Sequence, residues 1–271
     1  MKNIINHSGN LGDILLSMHF TVELLEAINT KVSDYIFNIQ INQPAQYSGT
    51  HPYGNVMMTL NSAKFLKPLL LNMGFKDVTF EEKLDPEWIN LSVFRNLRLN
   101  LTASDLRSLY YELSKFHLPQ NFSRNLFTFV KAPNNELKDR IIFIHTSRYN
   151  NCFLNLKALE RYKDILLFMG IKEEYEQFKK EFFNMQYLPV TDALDAAQKM
   201  KSAKGIIGNQ SGLYSLAEML KVNRILLTAE FNMIQNRLCI GPCNVNPQGG
   251  WIETVRTQQK LIPAMENLIN K

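Results

Sequence analysis

Twice in this chain a short apolar run stops at a glycine-bearing loop, and apolar residues at helical spacing begin directly after it. The first run, Lys2 to Asn6, leads into His7-Ser8-Gly9-Asn10-Leu11-Gly12-Asp13, with Ile14, Met18, Val22 and Leu25 behind it. The second, Gly205-Ile206-Ile207, leads into Gly208-Asn209-Gln210-Ser211-Gly212, followed by Leu213, Leu216, Ala217 and Leu220. A short apolar run bounded by turn residues fits a buried strand, and apolar recurrence at three and four fits one face of a helix. Strand, loop and helix in that order are the opening of a parallel βαβ unit.

The rest of the chain repeats the alternation. Strands are expected at 35–41, 140–145, 164–169 and 224–228. Helices are expected at 62–74, 103–116, around Tyr175, Phe178 and Phe182, and from a cap at Thr191 or Asp192 to about Met200. Pro68 falls inside the helix at 62–74, where a kink or break is expected, and Pro263 is placed to open a C-terminal helix through Ile269. Residues 42–61 lack periodicity and read as a long loop, while 75–100 mix short strands and turns. The fold class is α/β.

A chain of 271 residues is long enough for two domains at roughly 150 residues each. The best linker is Lys131-Ala132-Pro133-Asn134-Asn135, which divides the chain into domains at 1–133 and 134–271. With 45% apolar and 20% charged residues, both halves can build cores. No apolar run approaches the ~20 residues of a membrane helix, and the N-terminus has no signal-peptide core, so a cytoplasmic protein without a transmembrane segment is expected.

Three cysteines, Cys152, Cys239 and Cys243, are too few for a disulfide framework, and no histidine lies near them in sequence to complete a zinc site. No metal site is expected. Residues 136–271 carry 18 Lys/Arg against 14 Asp/Glu, so most of the net charge of +5 sits in the second half. That excess favours an anionic ligand, either a nucleotide or a nucleic acid. No block of five or more basic residues supports a dedicated nucleic-acid arm.

Three loops carry candidate chemistry. In the turn from Gly208 to Gly212, a helix N-terminus offers unpaired N–H groups and the positive end of its dipole to a phosphate. Gly208 and Gly212 allow close approach, and Asn209, Gln210 and Ser211 cap the helix or touch the ligand. The plain alternative is a tight turn with no ligand. In the first loop Gly12 precedes Asp13, which either favours the helix N-terminus electrostatically or takes a proton from a hydroxyl. After the strand at 140–145 come Thr146-Ser147-Arg148-Tyr149, where Arg148 is either a solvated loop residue or a planar fork for a diphosphate. Glu218, in the helix after Gly212, either reaches a ribose or sits on the surface.

The segments Gly9-Asn10-Leu11-Gly12-Asp13-Ile14-Leu15-Leu16 and Gly205 to Gly212 with Ala217-Glu218 resemble the two signatures of the ADP-heptose–lipopolysaccharide heptosyltransferases. They fall in the family's order, one in each half. The resemblance implies a GT-B fold, two Rossmann-like domains with parallel sheets facing a cleft. It implies an N-terminal domain for the acceptor and a C-terminal domain for a nucleotide-sugar donor. The family's base then falls on Asp13. Its diphosphate loop falls on Gly208, Asn209, Gln210, Ser211 and Gly212, with Gly12, Arg148, Tyr149 and Glu218 beside the donor. The chain is short for the family, and Arg148 and Tyr149 occupy the region where a lysine-containing loop is usual.

These readings together lead to a metal-independent glycosyltransferase. It moves a sugar from a nucleoside-diphosphate sugar to a carbohydrate or other hydroxyl, with no cofactor beyond the donor substrate. The rivals are a nucleotide-sugar-binding protein of the same fold without catalysis, a transferase acting on nucleic acid, and a sugar-nucleotide epimerase.

Overall fold

The structure, a computed structural model, describes residues 3–45, 55–92, 106–113, 118, 122–133, 135–146, 153–228 and 250–271. The chain divides into two compact units, Met1–Phe129 with Asp192–Leu194, and Val130–Thr191 with Asp195–Lys271. Each is built on a parallel sheet.

In the first unit β1 (Ile4–His7), β2 (Ile36–Ile39), β3 (Asp77–Thr79) and β4 (Ile89–Asn90) lie in the order β3-β2-β1-β4. All neighbours run parallel, with Ile5 opposite both Phe37 and Ile89. Helix α1 (Leu11–Ala27) follows β1, and α2 (Leu60–Met73) precedes β3. Ile5, Phe37, Ile39 and Val78 make the buried apolar face. The opposite face of the same strands carries Asn6, Asn38 and Gln40, also buried. They survive there because they satisfy one another: Asn38 Nδ2 donates to Asn6 Oδ1 at 2.8 Å, and Asn6 Nδ2 donates to Gln40 Oε1 at 3.2 Å. Thr79 Oγ1 adds a third bond, to Asn38 Oδ1 at 3.0 Å.

Thr59 caps α2 by accepting the Ser62 N–H, and Gly74 ends it in the left-handed region at φ 109°. The helix runs on through Pro68, since four buried side chains, Ala63, Leu66, Leu69 and Leu70, hold both halves to the core. Helix α3 (Leu106–Leu113) packs on α1. A buried bond from Tyr111 Oη to Glu23 Oε2 at 2.6 Å joins the two helices, and burial, with the Glu23 charge, pushes the Tyr111 phenol well above its ordinary range. The ends of the 42–61 loop are tied together by an antiparallel bridge between Pro44 and Val56; residues 46–54 lie outside the described residues.

The second unit has β5 (Ile141–Ile144), β6 (Leu166–Phe168), α4 (Lys172–Glu181), β7 (Gln186–Tyr187), α5 (Ala193–Ser202) and β8 (Gly205–Asn209). It continues with α6 (Gly212–Met219), β9 (Arg224–Leu227), β10 (Ile252–Val255) and α7 (Gln258–Ile269). Its six parallel strands lie in the order β7-β6-β5-β8-β9-β10, which is 3-2-1-4-5-6 counted within the unit. That is the order of a doubly wound dinucleotide-binding sheet. The inner strands β5, β8 and β9 are buried along their whole length, so both faces are covered and the sequence reads as unbroken apolar runs. One core gathers Ile141, Phe143, Phe168, Phe178, Ile207 and Leu268.

Pro263 does not open the last helix. Helix α7 begins five residues earlier, at Gln258 after Thr257, and carries Pro263 in its interior. Burial of Leu261, Ala264, Met265 and Leu268 outweighs the one hydrogen bond the proline removes. Asp192 takes the capping role at α5, accepting the Leu194 N–H at 2.8 Å. Strand β10 carries no apolar run and was not legible in the sequence. Among the described residues no helix is long and apolar enough to cross a membrane.

Glycines 205 and 208 are fixed by neighbours rather than by turns. A Cβ on Gly208 would lie 2.5 Å from the Ile144 carbonyl oxygen on β5, while one on Gly205 would lie 2.5 Å from a Leu268 methyl on α7. Backbone cannot retreat as a methyl can. Gly208→Ala should therefore cost about 2–3 kcal/mol and Gly205→Ala about 1 kcal/mol, compared by urea denaturation. Equal losses would show that the β5–β8 contact is not the tighter of the two.

Candidate functional site

In an open parallel sheet the connections leave in opposite directions on either side of the first strand, and ligands bind in the crevice that opens there, beyond the carboxyl ends of the strands. In the second unit that point lies between β5 and β8. The two loops that leave it begin at His145 and at Gln210, so the Gly208–Gly212 motif stands on one side of the crevice and the Thr146 loop on the other. In the first unit the equivalent point lies between β1 and β4, and the Gly9–Asp13 loop leaves from it.

Ser211 is the N-cap of α6: its Oγ accepts the Tyr214 N–H at 3.2 Å, and its carbonyl accepts the Ser215 N–H at 2.9 Å. The amides of Gly212 and Leu213, the first two of the helix, meet no acceptor among the described residues. They are the orphan donors that a helix start leaves for a ligand. Gln210, Ser211 and Gly212 are half-buried around them. Gly208 is a strand residue whose missing side chain makes room for β5. Asn209 is 1% exposed, and both of its amide groups are spent on the backbone of Thr146. Arg148 and Tyr149 lie outside the described residues.

Glu218 is not at the surface. Glu218 and Arg224 are both 0% exposed and form an ion pair between α6 and β9. Arg224 also donates Nη1 to the Val222 carbonyl at 3.0 Å. The pair anchors the helix whose N-terminus faces the crevice. Nothing in the local sequence pattern distinguished Glu218 from an exposed helical glutamate, because its partner is supplied by the next strand.

Several neutral bonds hold the loop of the first unit. The Gly9 N–H donates to His7 Nδ1 at 2.8 Å, so that nitrogen carries no proton. The neutral ring therefore bears its hydrogen on Nε2, which meets Tyr110 Oη at 2.8 Å, and the phenol in turn donates to the Asp13 carbonyl at 3.2 Å. A Cβ on Gly9 would sit 2.5 Å from His7 Cε1 and 2.7 Å from Asp13 Cβ, so only glycine fits this loop. Ser8 donates its N–H to Ser92 Oγ at 2.7 Å, joining the loop after β1 to the end of β4. Asp13 is half-buried in the first turn of α1, and its Oδ2 accepts the Asn10 N–H at 2.9 Å. It thus helps cap the start of α1. Gly12 is half-buried beside it. His7 and Tyr110 were not among the residues singled out from sequence, as they are 103 positions apart.

A cavity of about 310 Å³ opens elsewhere in the first unit, lined by Ile4, Ile36, Thr79, Glu81, Asp85, Glu87 and Trp88. Ile4 and Ile36 begin their strands, so it lies toward the end of the sheet opposite the Asp13 loop. No group of three His, Cys, Asp or Glu side chains able to hold a metal occurs among the described residues, and all three cysteines lie outside them.

This architecture is similar to proteins of known structure. A glycosyl transferase family 9 protein from Veillonella parvula superposes with a TM-score of 0.53 at 15% identity, over 99% of this chain and 97% of that one. The E. coli heptosyltransferase WaaC with ADP gives 0.52 at 12% identity, over 99% of this chain and 100% of that one. The same enzyme with ADP-2-deoxy-2-fluoro heptose gives 0.52 at 15% identity, over 100% and 99%. The fold is GT-B. The GT-B likeness runs over nearly the whole chain, so the shorter length noted in the sequence removes neither sheet. No protein-family model matches the chain, and no curated protein matches it.

Removing one partner of a buried ion pair leaves a bare charge, at a cost of about 3–5 kcal/mol. Glu218→Leu should therefore unfold the second unit at markedly lower urea than the parent. Adding Arg224→Met should recover most of the loss, since the charge left behind is gone. A double variant no more stable than the single one would show that the pair does not act as a unit.

Proposed function

We propose that the chain is a glycosyltransferase that moves a sugar from a nucleoside-diphosphate sugar to an acceptor hydroxyl, with residues 1–133 serving the acceptor and 134–271 the donor. One observation carries the reading: the orphan amides of Gly212 and Leu213 open a helix at the point where a 3-2-1-4-5-6 sheet divides. Unpaired N–H groups and the positive dipole end favour a diphosphate there. The two-domain likeness to glycosyltransferases supports the same reading.

In this mechanism Asp13 takes the proton of the acceptor hydroxyl. The oxygen attacks the anomeric carbon, and the bond from that carbon to the diphosphate breaks. The leaving diphosphate carries the electron pair away, stabilised by the Gly212 and Leu213 amides and by Arg148. Gln210, Ser211 and Tyr149 line the donor site. The amides and Arg148 carry the charge that a metal ion would otherwise balance. Since two of the structural relatives are named with ADP and an ADP-sugar analogue, ADP-sugars are the first donors to try.

The test has two arms. A nucleoside diphosphate at ~100 times its dissociation constant should stabilise the chain by about 2.7 kcal/mol in a thermal-shift screen. Ser211→Ala and Gly212→Val should weaken that binding at least tenfold, by about 1.4 kcal/mol. Asp13→Ala should leave donor binding intact and reduce transfer by about a thousandfold, within the range for removing a general base. Full transfer by Asp13→Ala removes it from the mechanism, and unchanged affinity in the Ser211 and Gly212 variants removes the diphosphate assignment. Donor binding with no turnover across acceptors would instead identify a binding protein of the same fold.

A further inference from the structure

The backbone ladder between β5 and β8 ends at the pair Ile144 and Gly208. One residue later the chains must part, because each connection leaves on its own side of the sheet. A side chain bridges the parting. Asn209 Nδ2 donates to the Thr146 carbonyl at 2.6 Å, and Asn209 Oδ1 accepts the Thr146 N–H at 2.9 Å. The carboxamide has the same donor and acceptor as a peptide group, so it supplies the rung that the diverging backbones no longer make. It spans 63 positions of sequence and fixes Thr146, the residue from which the loop toward Arg148 departs.

We infer that Asn209 is a positioning residue that staples the Thr146 loop to the N-terminus of α6, and that it does not itself touch the donor. This rests on the reading of the Gly208–Leu213 turn as a diphosphate site. At 1% exposure, with its oxygen and its nitrogen both bonded to the Thr146 backbone, Asn209 is shielded from a ligand. What it supplies is a frame: Thr146, where one loop starts, is tied to Asn209, beside the start of the other, before the ligand arrives, and the cost of ordering that residue is not charged against binding.

The chemistry of the staple gives a test that a merely structural role would not pass. Aspartate has the same shape as asparagine but, when ionised, has no donor and faces the Thr146 carbonyl with negative charge. When protonated it regains one donor and one acceptor. A buried carboxyl in that position titrates well above the ~3.9 of a free aspartate. Binding of ADP, GDP, CDP and UDP to the full chain, the N209A variant and the N209D variant is measured by calorimetry at about pH 8 and about pH 5.5. Each variant is compared with wild type at the same pH, which cancels titration of the phosphates.

Two lost hydrogen bonds correspond to at least about a tenfold loss of affinity. N209A should show it at both pH values. N209D should show it at the higher pH and return to within about threefold of wild type at the lower. Wild-type affinity in both variants overturns the inference, and so does an N209D deficit that protonation does not relieve. A wild-type chain that binds none of the four nucleotides fails at the diphosphate reading itself and takes the staple's role with it. Hydrogen exchange on the wild-type chain covers the case of a variant that does not fold: the Thr146 amide should exchange as slowly as those of β5. Exchange at the rate of a free loop amide would show that the staple does not hold.

Discussion

The structure turns on the geometry of a parallel sheet at its first strand. Every connection on one side of that strand leaves in one direction, and every connection on the other side leaves in the opposite one. Two loops part there, and neither can satisfy all of its backbone groups within the sheet. The second unit meets this with three devices: a serine cap on α6, a carboxamide rung from Asn209 to Thr146, and two helix amides with no acceptor among the described residues. The first two tie down the start of α6 and Thr146. The third makes the crevice electropositive without any side-chain charge.

The first unit solves the same problem with different groups. Its loop is held by His7 and Tyr110 from opposite ends of the unit's sequence, by Ser92 from the end of β4, and by a glycine that leaves no room for a side chain. All of these bonds are neutral. Asp13 places a carboxylate at this parting, set at the start of a helix where the dipole favours it. One unit thus presents a positive backbone end and the other a carboxylate, from the same topological position in two sheets of similar order.

Buried polar groups tie together the elements behind these loops. Glu218 and Arg224 hold α6 against β9, and the amide chain through Asn6, Asn38 and Gln40 holds β1 against β2. Both sets are buried, so removing one member alone strands a polar group or a charge away from water. That is the behaviour of a frame.

Much of this was legible in the residues alone. Apolar runs such as Arg140 to His145 and Arg224 to Thr228 fit strands buried on both faces, and the glycine loops after β1 and β8 marked where helices begin. Local signals of that kind depend on neighbours a few positions apart. Gly74 ended its helix as read, whereas Pro263 misled, because the packing of α7 overrode a local preference.

What the sequence determined by itself was the alternation of strand and helix and the identity of the two loops, since periodicity and turn chemistry are short-range. What only the tertiary structure decided was the use of the residues within those loops. Whether Asn209 faces a ligand or Thr146, whether Glu218 is exposed or paired, and what backs the His7 ring against Gly9 depend on partners 63, 6 and 103 positions away, each brought in by chain geometry. Strand order is likewise invisible in a linear pattern. It is fixed by which buried faces fit together, and here it carries both motifs to the place where a sheet divides.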